Sequence, residues 1–194
     1  RSLRVSIADG IAEVELTGPS KGNAMGPDFW KELPQVFDAL SEDAGVRAVL
    51  LYGSGGNFSY GLDLPAMAPV FAPMLAASGM DARLREGFRR KIKTLQDSVS
   101  SLSRCSKPVI AAVDGWCIGG GIDVITAADI RIASPTATFS VREVRVGIVA
   151  DLGSLQRLPG IIGEGPARHL ALTGEDFTAD RACSLGLVTE VADD

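Results

Sequence analysis

The sequence has 194 residues, 46% hydrophobic and 22% charged, enough for one sizeable core and too apolar for a disordered chain. A formal net charge of −5 predicts no broad basic surface and excludes nucleic acid as an expected partner. A single histidine, His169, leaves no His-rich metal site and no Ser-His-Asp hydrolase.

Cys105, Cys117 and Cys183 are far apart and form neither a CxxC pair nor a disulfide framework. A reducing compartment is expected: the cytoplasm, or an organellar matrix in a eukaryote. The opening residues, from Arg1, show no secretory pattern. The longest apolar stretch, 109–132, is broken by Asp114, Asp123, Asp129 and several glycines, so it reads as a buried core segment rather than a membrane span.

In chain order, Leu3–Ile7 and Ile11–Leu16 read as strands around an Asp9-Gly10 turn, and 18–23 reads as a loop. Phe29, Trp30, Leu33, Val36, Phe37 and Leu40 recur at helical spacing over 27–40, with Pro34 predicting an early turn or a kink. A strand follows over 46–52. With its three prolines, 64–80 reads as loop, and 81–102 reads as a long helix. Strands are predicted over 109–113, 130–133 and 138–141, with a closing strand over 187–191. Helices are predicted from 119 to 128 and over 152–158, 164–172 and 179–185. The alternation suits stacked ββα units, an α/β arrangement, read as one domain over 1–194.

Two glycine segments stand out. Gly53-Ser54-Gly55-Gly56 follows a strand but lacks the rest of a dinucleotide or phosphate-loop motif, so a flexible turn explains it. Gly119-Gly120-Gly121 lies between a strand and a helix. It lets backbone approach a ligand closely and leaves the first helical N–H groups free for an oxygen that gains negative charge, unless it serves only tight packing. Each such donor is worth roughly 3–4 kcal/mol in a transition state.

Lys107-Pro108-Val109-Ile110-Ala111-Ala112-Val113-Asp114-Gly115 followed by Cys117-Ile118-Gly119-Gly120-Gly121 resembles the signature of the crotonase, or enoyl-CoA hydratase/isomerase, superfamily. Phe58-Ser59-Tyr60-Gly61-Leu62-Asp63-Leu64 is similar to its first oxyanion segment, and Asn23-Ala24-Met25 to its early substrate loop. Gln156-Arg157-Leu158-Pro159 and Gly186-Leu187-Val188 match later landmarks. The resemblance implies a crotonase (ClpP-like) spiral and an acyl-CoA substrate. It implies no separate cofactor, since CoA is part of the substrate, no metal, and a homotrimer or a hexamer made as a dimer of trimers. It also implies C-terminal helices that cap the acyl pocket, which do not appear before Asp194. Carried over by position, the oxyanion N–H groups belong to Tyr60 and Gly120. Asn23, Ala24, Gly61, Leu62, Asp63 and Gly119 become candidate substrate-binding residues.

The family's two hydratase glutamates fall on Asp123 and Glu143, and a third acid, Asp151, follows. Asp, Glu and Asp at these positions resemble the Δ3,5-Δ2,4-dienoyl-CoA isomerase branch. The chemistry gives that pattern sense: shifting two conjugated double bonds needs a proton removed beside the thioester and another returned four carbons away, beyond the reach of one carboxylate. If 143–151 were extended, the two acids would stand roughly 26 Å apart, so Gly147 is the expected turn. Glu143 is expected to serve the carbon beside the thioester and Asp151 the distal carbon, with Asp123 orienting or tuning them.

Plainer readings stand beside these. Asp123 could favour its helix dipole, Glu143 could lie on a solvated strand face, and Asp151 could cap the 152–158 helix. The basic run Arg83, Arg85, Arg89, Arg90, Lys91 and Lys93 reads as a solvated helix face, or else as a surface for CoA phosphates or a neighbouring subunit. His169 reads as surface or packing. Enoyl-CoA hydration, and a non-catalytic acyl-CoA-binding or oligomer-supporting subunit, are the alternative functions.

Overall fold

The structure, a computed structural model, describes residues 1–18, 20–75 and 82–192. Strands followed by helices repeat along the chain. β1 (Leu3–Ala8) and β2 (Ile11–Leu16) lead to α1 (Pro27–Glu42), and β3 (Ala48–Gly53) leads to α2 (Leu64–Leu75) and α3 (Ala82–Arg104). β4 (Val109–Val113) and β5 (Trp116–Ile118) lead to α4 (Gly120–Ile125), and β6 (Ile130–Ala133) and β7 (Thr138–Ser140) to α5 (Ser154–Ile162). α6 (Glu164–Thr173), β8 (Phe177–Thr178), α7 (Ala179–Leu185) and β9 (Glu190–Val191) follow.

One sheet has the order β1-β2-β3-β4-β6-β9, antiparallel only at β1–β2, and a smaller sheet has the order β5-β7-β8. The opening hairpin turns on Asp9 and Gly10, both at positive φ, as a two-residue connection requires. Val14, Val49, Leu51, Val109 and Ala111 are buried in the larger sheet and share a core with Phe29, Leu33 and Phe37 of α1 and Leu95, Val99 and Leu102 of α3. Among the described residues, no helix is long and apolar enough to cross a membrane.

Proline produced the main differences from expectation. α1 continues through Pro34, which has no N–H to offer the Trp30 carbonyl one turn back. The hydroxyl of Ser98 on α3 donates to that carbonyl at 2.9 Å instead, so a neighbouring helix supplies the missing bond. The stretch expected as loop from residue 64 is helical as α2. Asp63 starts it: its Oδ1 accepts from the Ala66 N–H at 3.0 Å. Pro65 falls in the first turn, where an N–H has no helical acceptor, and Pro69 stands on the exposed side. The rest of that expectation, 76–80, lies outside the described residues, as does residue 81 of the long helix.

The short strands β5 and β8 were not expected. The strand expected over 138–141 stops at Ser140, and Glu143–Val146 forms a 3-10 turn closed by Gly147 at φ 72°.

Candidate active site

Backbone pairing brings the two glycine-containing segments together. Ser59 donates its N–H to the Trp116 carbonyl at 2.9 Å, and Ile118 donates back to the Ser59 carbonyl at 3.0 Å. Gly61, at φ +80°, then lies so near α4 that a Cβ there would stand 2.9 Å from the Gly120 nitrogen. Met25 donates to the Gly61 carbonyl and accepts from the Asp63 N–H. In such a parallel bridge the intervening residue, Leu62, turns its own N–H to the other side. A Cβ on Gly120 would lie 3.6 Å from the Leu62 nitrogen. Among the described residues, the N–H groups of Leu62 and Gly120 have no hydrogen-bond acceptor.

This corrects the donor expected at Tyr60, whose N–H is committed to the Gly22 carbonyl at 2.8 Å. The left-handed turn at Gly61 separates the two positions, so Leu62, and not Tyr60, presents a free donor beside Gly120.

Leu62 and Gly120 open onto a cavity of about 480 Å³, also lined by Asp123, Glu143 and Asp151. Its apolar walls come largely from α2 and α3, including Phe71 and Phe88 in edge-to-face contact at 6.2 Å, with Ile92 and Leu95. Glu143 arrives on the 3-10 turn, and Gly119 makes room for it, since a Cβ there would stand 3.2 Å from Glu143 Oε1. Glu143 is buried, which removes the solvated-strand reading. Gly147 reverses the chain so that Asp151 returns to the same cavity, and Gln96 of α3 secures that return by donating to the Asp151 carbonyl at 2.7 Å. Asp151 is not the cap of α5. Asp123 takes that part, with Oδ1 accepting from the Ser154 N–H and the Ser154 hydroxyl, each at 2.6 Å.

Burial drives all three carboxyls toward their protonated forms. Glu143 is pushed up to about 7 by desolvation and then by the neighbouring charge of Asp123. Desolvation pushes Asp123 up to about 6 against the Ser154 hydrogen bonds and Arg157, which favour its anion. Asp151, half-buried, is also raised by desolvation. A carboxyl poised near neutrality can both hold and release a proton.

Several of the expected substrate-binding residues have structural partners in the fold. Asn23 sits at φ +53°; its amide donates to the carbonyls of Ser54, Asn57 and Phe58 at 2.9, 2.8 and 3.2 Å. Its Oδ1 accepts from the Ser54 hydroxyl at 2.9 Å. Asn23 therefore ties the Gly53–Gly56 turn to the oxyanion segment. Ala24 is buried, and Asp63 caps α2 while accepting a hydrogen bond from Ser20. Asn23→Ala is expected to cost about 3 kcal/mol, because buried carbonyls lose their donor. Urea denaturation measures this, and a loss under 1 kcal/mol would contradict the clamp.

On α3, Arg89 and Arg90 pair with Glu86, and Lys93 with Asp97, as on a solvated face. His169 is exposed, 3.2 Å from Glu175.

The sequence profile described as Enoyl-CoA hydratase/isomerase matches residues 6–194. The chain belongs to that family. It is 42% identical over 190 residues to the peroxisomal Δ(3,5)-Δ(2,4)-dienoyl-CoA isomerase of Arabidopsis thaliana, covering 97% of this chain and 68% of the relative. It is 44% identical over 196 residues to the mitochondrial enzyme of that name from Homo sapiens, covering 100% of this chain and 59% of the relative. The enoyl-CoA hydratase of Shewanella pealeana superposes with a TM-score of 0.88 at 29% identity, over 100% of this chain and 69% of that one. The crotonase α/β fold expected from the sequence is thus the fold found. The chain spans about 59–68% of the length of these two isomerases.

Proposed function

We propose that this chain carries the catalytic core of an acyl-CoA isomerase of fatty-acid β-oxidation, converting 3,5-dienoyl-CoA to 2,4-dienoyl-CoA. The observation that carries the reading is the convergence of Asp123, Glu143 and Asp151 on one apolar cavity beside two unpaired N–H groups. In this reading the thioester oxygen accepts from Leu62 and Gly120. Glu143 removes a proton from the carbon beside the thioester, and the electron pair moves along the conjugated chain. Protonated Asp151 returns a proton four carbons away. The donors stabilise the enolate oxygen that forms between these transfers. The two relatives named as isomerases support the substrate class and, through their peroxisomal and mitochondrial designations, an organellar setting. A homotrimer or dimer of trimers is proposed with it, and sedimentation velocity tests that assembly.

Incubation with 3,5-dienoyl-CoA and, separately, 2-enoyl-CoA distinguishes isomerase, hydratase and binding subunit by following conjugated absorbance. Asp151→Asn is expected to lower isomerisation roughly a hundredfold. Exchange with D2O of the proton beside the thioester should persist, because Glu143 performs that step. Isomerisation at the wild-type rate would remove Asp151 from the mechanism.

A further inference from the structure

Asp123 and Glu143 share one cavity but are hydrogen-bonded unequally. Ser154 and Asp123 are both fully buried, and Ser154 gives Asp123 Oδ1 two donors, a backbone N–H and a hydroxyl. Glu143 Oε2 is buried without a hydrogen-bond partner among the described residues. Two carboxylates in an apolar site do not both ionise at low cost, so the charge settles on the one that has donors. We infer that Ser154 is a positioning residue that holds Asp123 as the standing anion of the cavity, leaving Glu143 as the carboxyl that takes up and releases the proton.

The other groups around Asp123 fit this division. From α5, Arg157 favours the Asp123 anion electrostatically, and its guanidinium sits where Gly153 leaves space: a Cβ at Gly153 would lie 1.8 Å from Arg157 Nη1. Asp151 opposes the anion through its own charge, Asp123 in turn raises Glu143, and the buried Cys117 thiol on β5 is kept protonated by burial and by Asp123. A fixed anion also increases the proton affinity of Glu143, which makes it the stronger base toward a carbon acid. The assignment of Glu143 as that base rests on the isomerase reading; the division of charge does not.

Carboxyl 13C NMR of protein labelled at Asp and Glu, titrated from pH 4 to 9, tests the division directly. Ser154→Ala should raise the Asp123 titration by about one pH unit, the effect of one hydrogen bond to a charged group. It should also lower that of Glu143, and Ser154→Thr should restore both. With dienoyl-CoA, the acid limb of the kcat profile should move to lower pH in Ser154→Ala and return in Ser154→Thr. Unmoved carboxyl titrations in a folded Ser154→Ala would overturn the inference. Should that variant not fold, Asp123→Asn serves: the Glu143 titration must then fall, and an unchanged value overturns the inference equally. A wild type that titrates as described but turns over no dienoyl-CoA would defeat the functional reading and leave the role of Ser154 standing.

Discussion

Glu143→Gln should lower isomerase turnover by roughly a hundred- to ten-thousandfold and, above neutral pH, make the protein more stable. Loss of turnover follows from removing the proposed base, since a positioned proton-transfer group contributes roughly a hundred- to ten-thousandfold. The gain in stability follows from burial. Glu143 titrates near 7 in the folded chain against 4.5 for the free side chain, because desolvation and then Asp123 penalise its charge. A carboxyl raised on folding makes the native state bind more protons than the unfolded one, so stability falls as pH rises from about 4.5 to about 7 and is flat beyond. The interval corresponds to about 3 kcal/mol. Glutamine has nearly the same shape and no charge to bury, but its amide still lacks a full set of partners. A net gain of about 2 kcal/mol is therefore expected at pH 8, shrinking to nothing near pH 4.5. Denaturation midpoints at the two pH values and a turnover assay make the check. A variant that keeps turnover within tenfold of wild type would exclude Glu143 as the base, and one whose stability relative to wild type is the same at both pH values would show that no charge was buried there.

What could be read in the sequence, and what could not, divides along physical lines. Strands of the larger sheet were legible because Val49, Leu51, Val109 and Ala111 belong to short apolar runs, and α1 and α3 because their buried residues recur at helical spacing. α2 was hidden by its prolines, of which Pro65 proves harmless only once Asp63 marks where the helix starts. The route of α1 past Pro34 depends on Ser98, sixty-eight residues from the Trp30 carbonyl it serves, and no local pattern reports such a bond. Strands of two or three residues, such as β8 and β5, carry too few side chains to show a period.

At the site, the three acids and Gly120 came from family resemblance, and the geometry gathers them around one cavity. The donor at Leu62 was misplaced by two residues because the choice turns on backbone direction around Gly61, which residue types do not specify. Ser154 gave no signal, since a buried serine and a surface serine look alike until the chain is folded.

Gly61 also carries the harshest single substitution expected of the oxyanion segments. Alanine there would be held at φ +80°, a conformation that costs an L-residue about 1 kcal/mol or more. Its methyl would stand 2.7 Å from the Ile118 carbonyl oxygen and 2.9 Å from the Gly120 nitrogen, both backbone atoms that cannot swing aside as a side chain would. The two segments must separate, and with them the N–H groups of Leu62 and Gly120. A donor displaced from the developing oxyanion costs roughly a hundred- to a thousandfold in kcat, and strain with clash should lower stability by about 3 kcal/mol. Gly55→Ala supplies the control: φ is +65°, but nothing lies within 4 Å of its Cβ, so it bears the strain without the wedge. It should lose about 1 kcal/mol and keep its kcat. If Gly61→Ala and Gly55→Ala lose stability alike and both retain turnover, the close approach of these segments has no part in catalysis. If only Gly61→Ala loses turnover at temperatures where both remain folded, the spacing between Leu62 and Gly120 sets the rate.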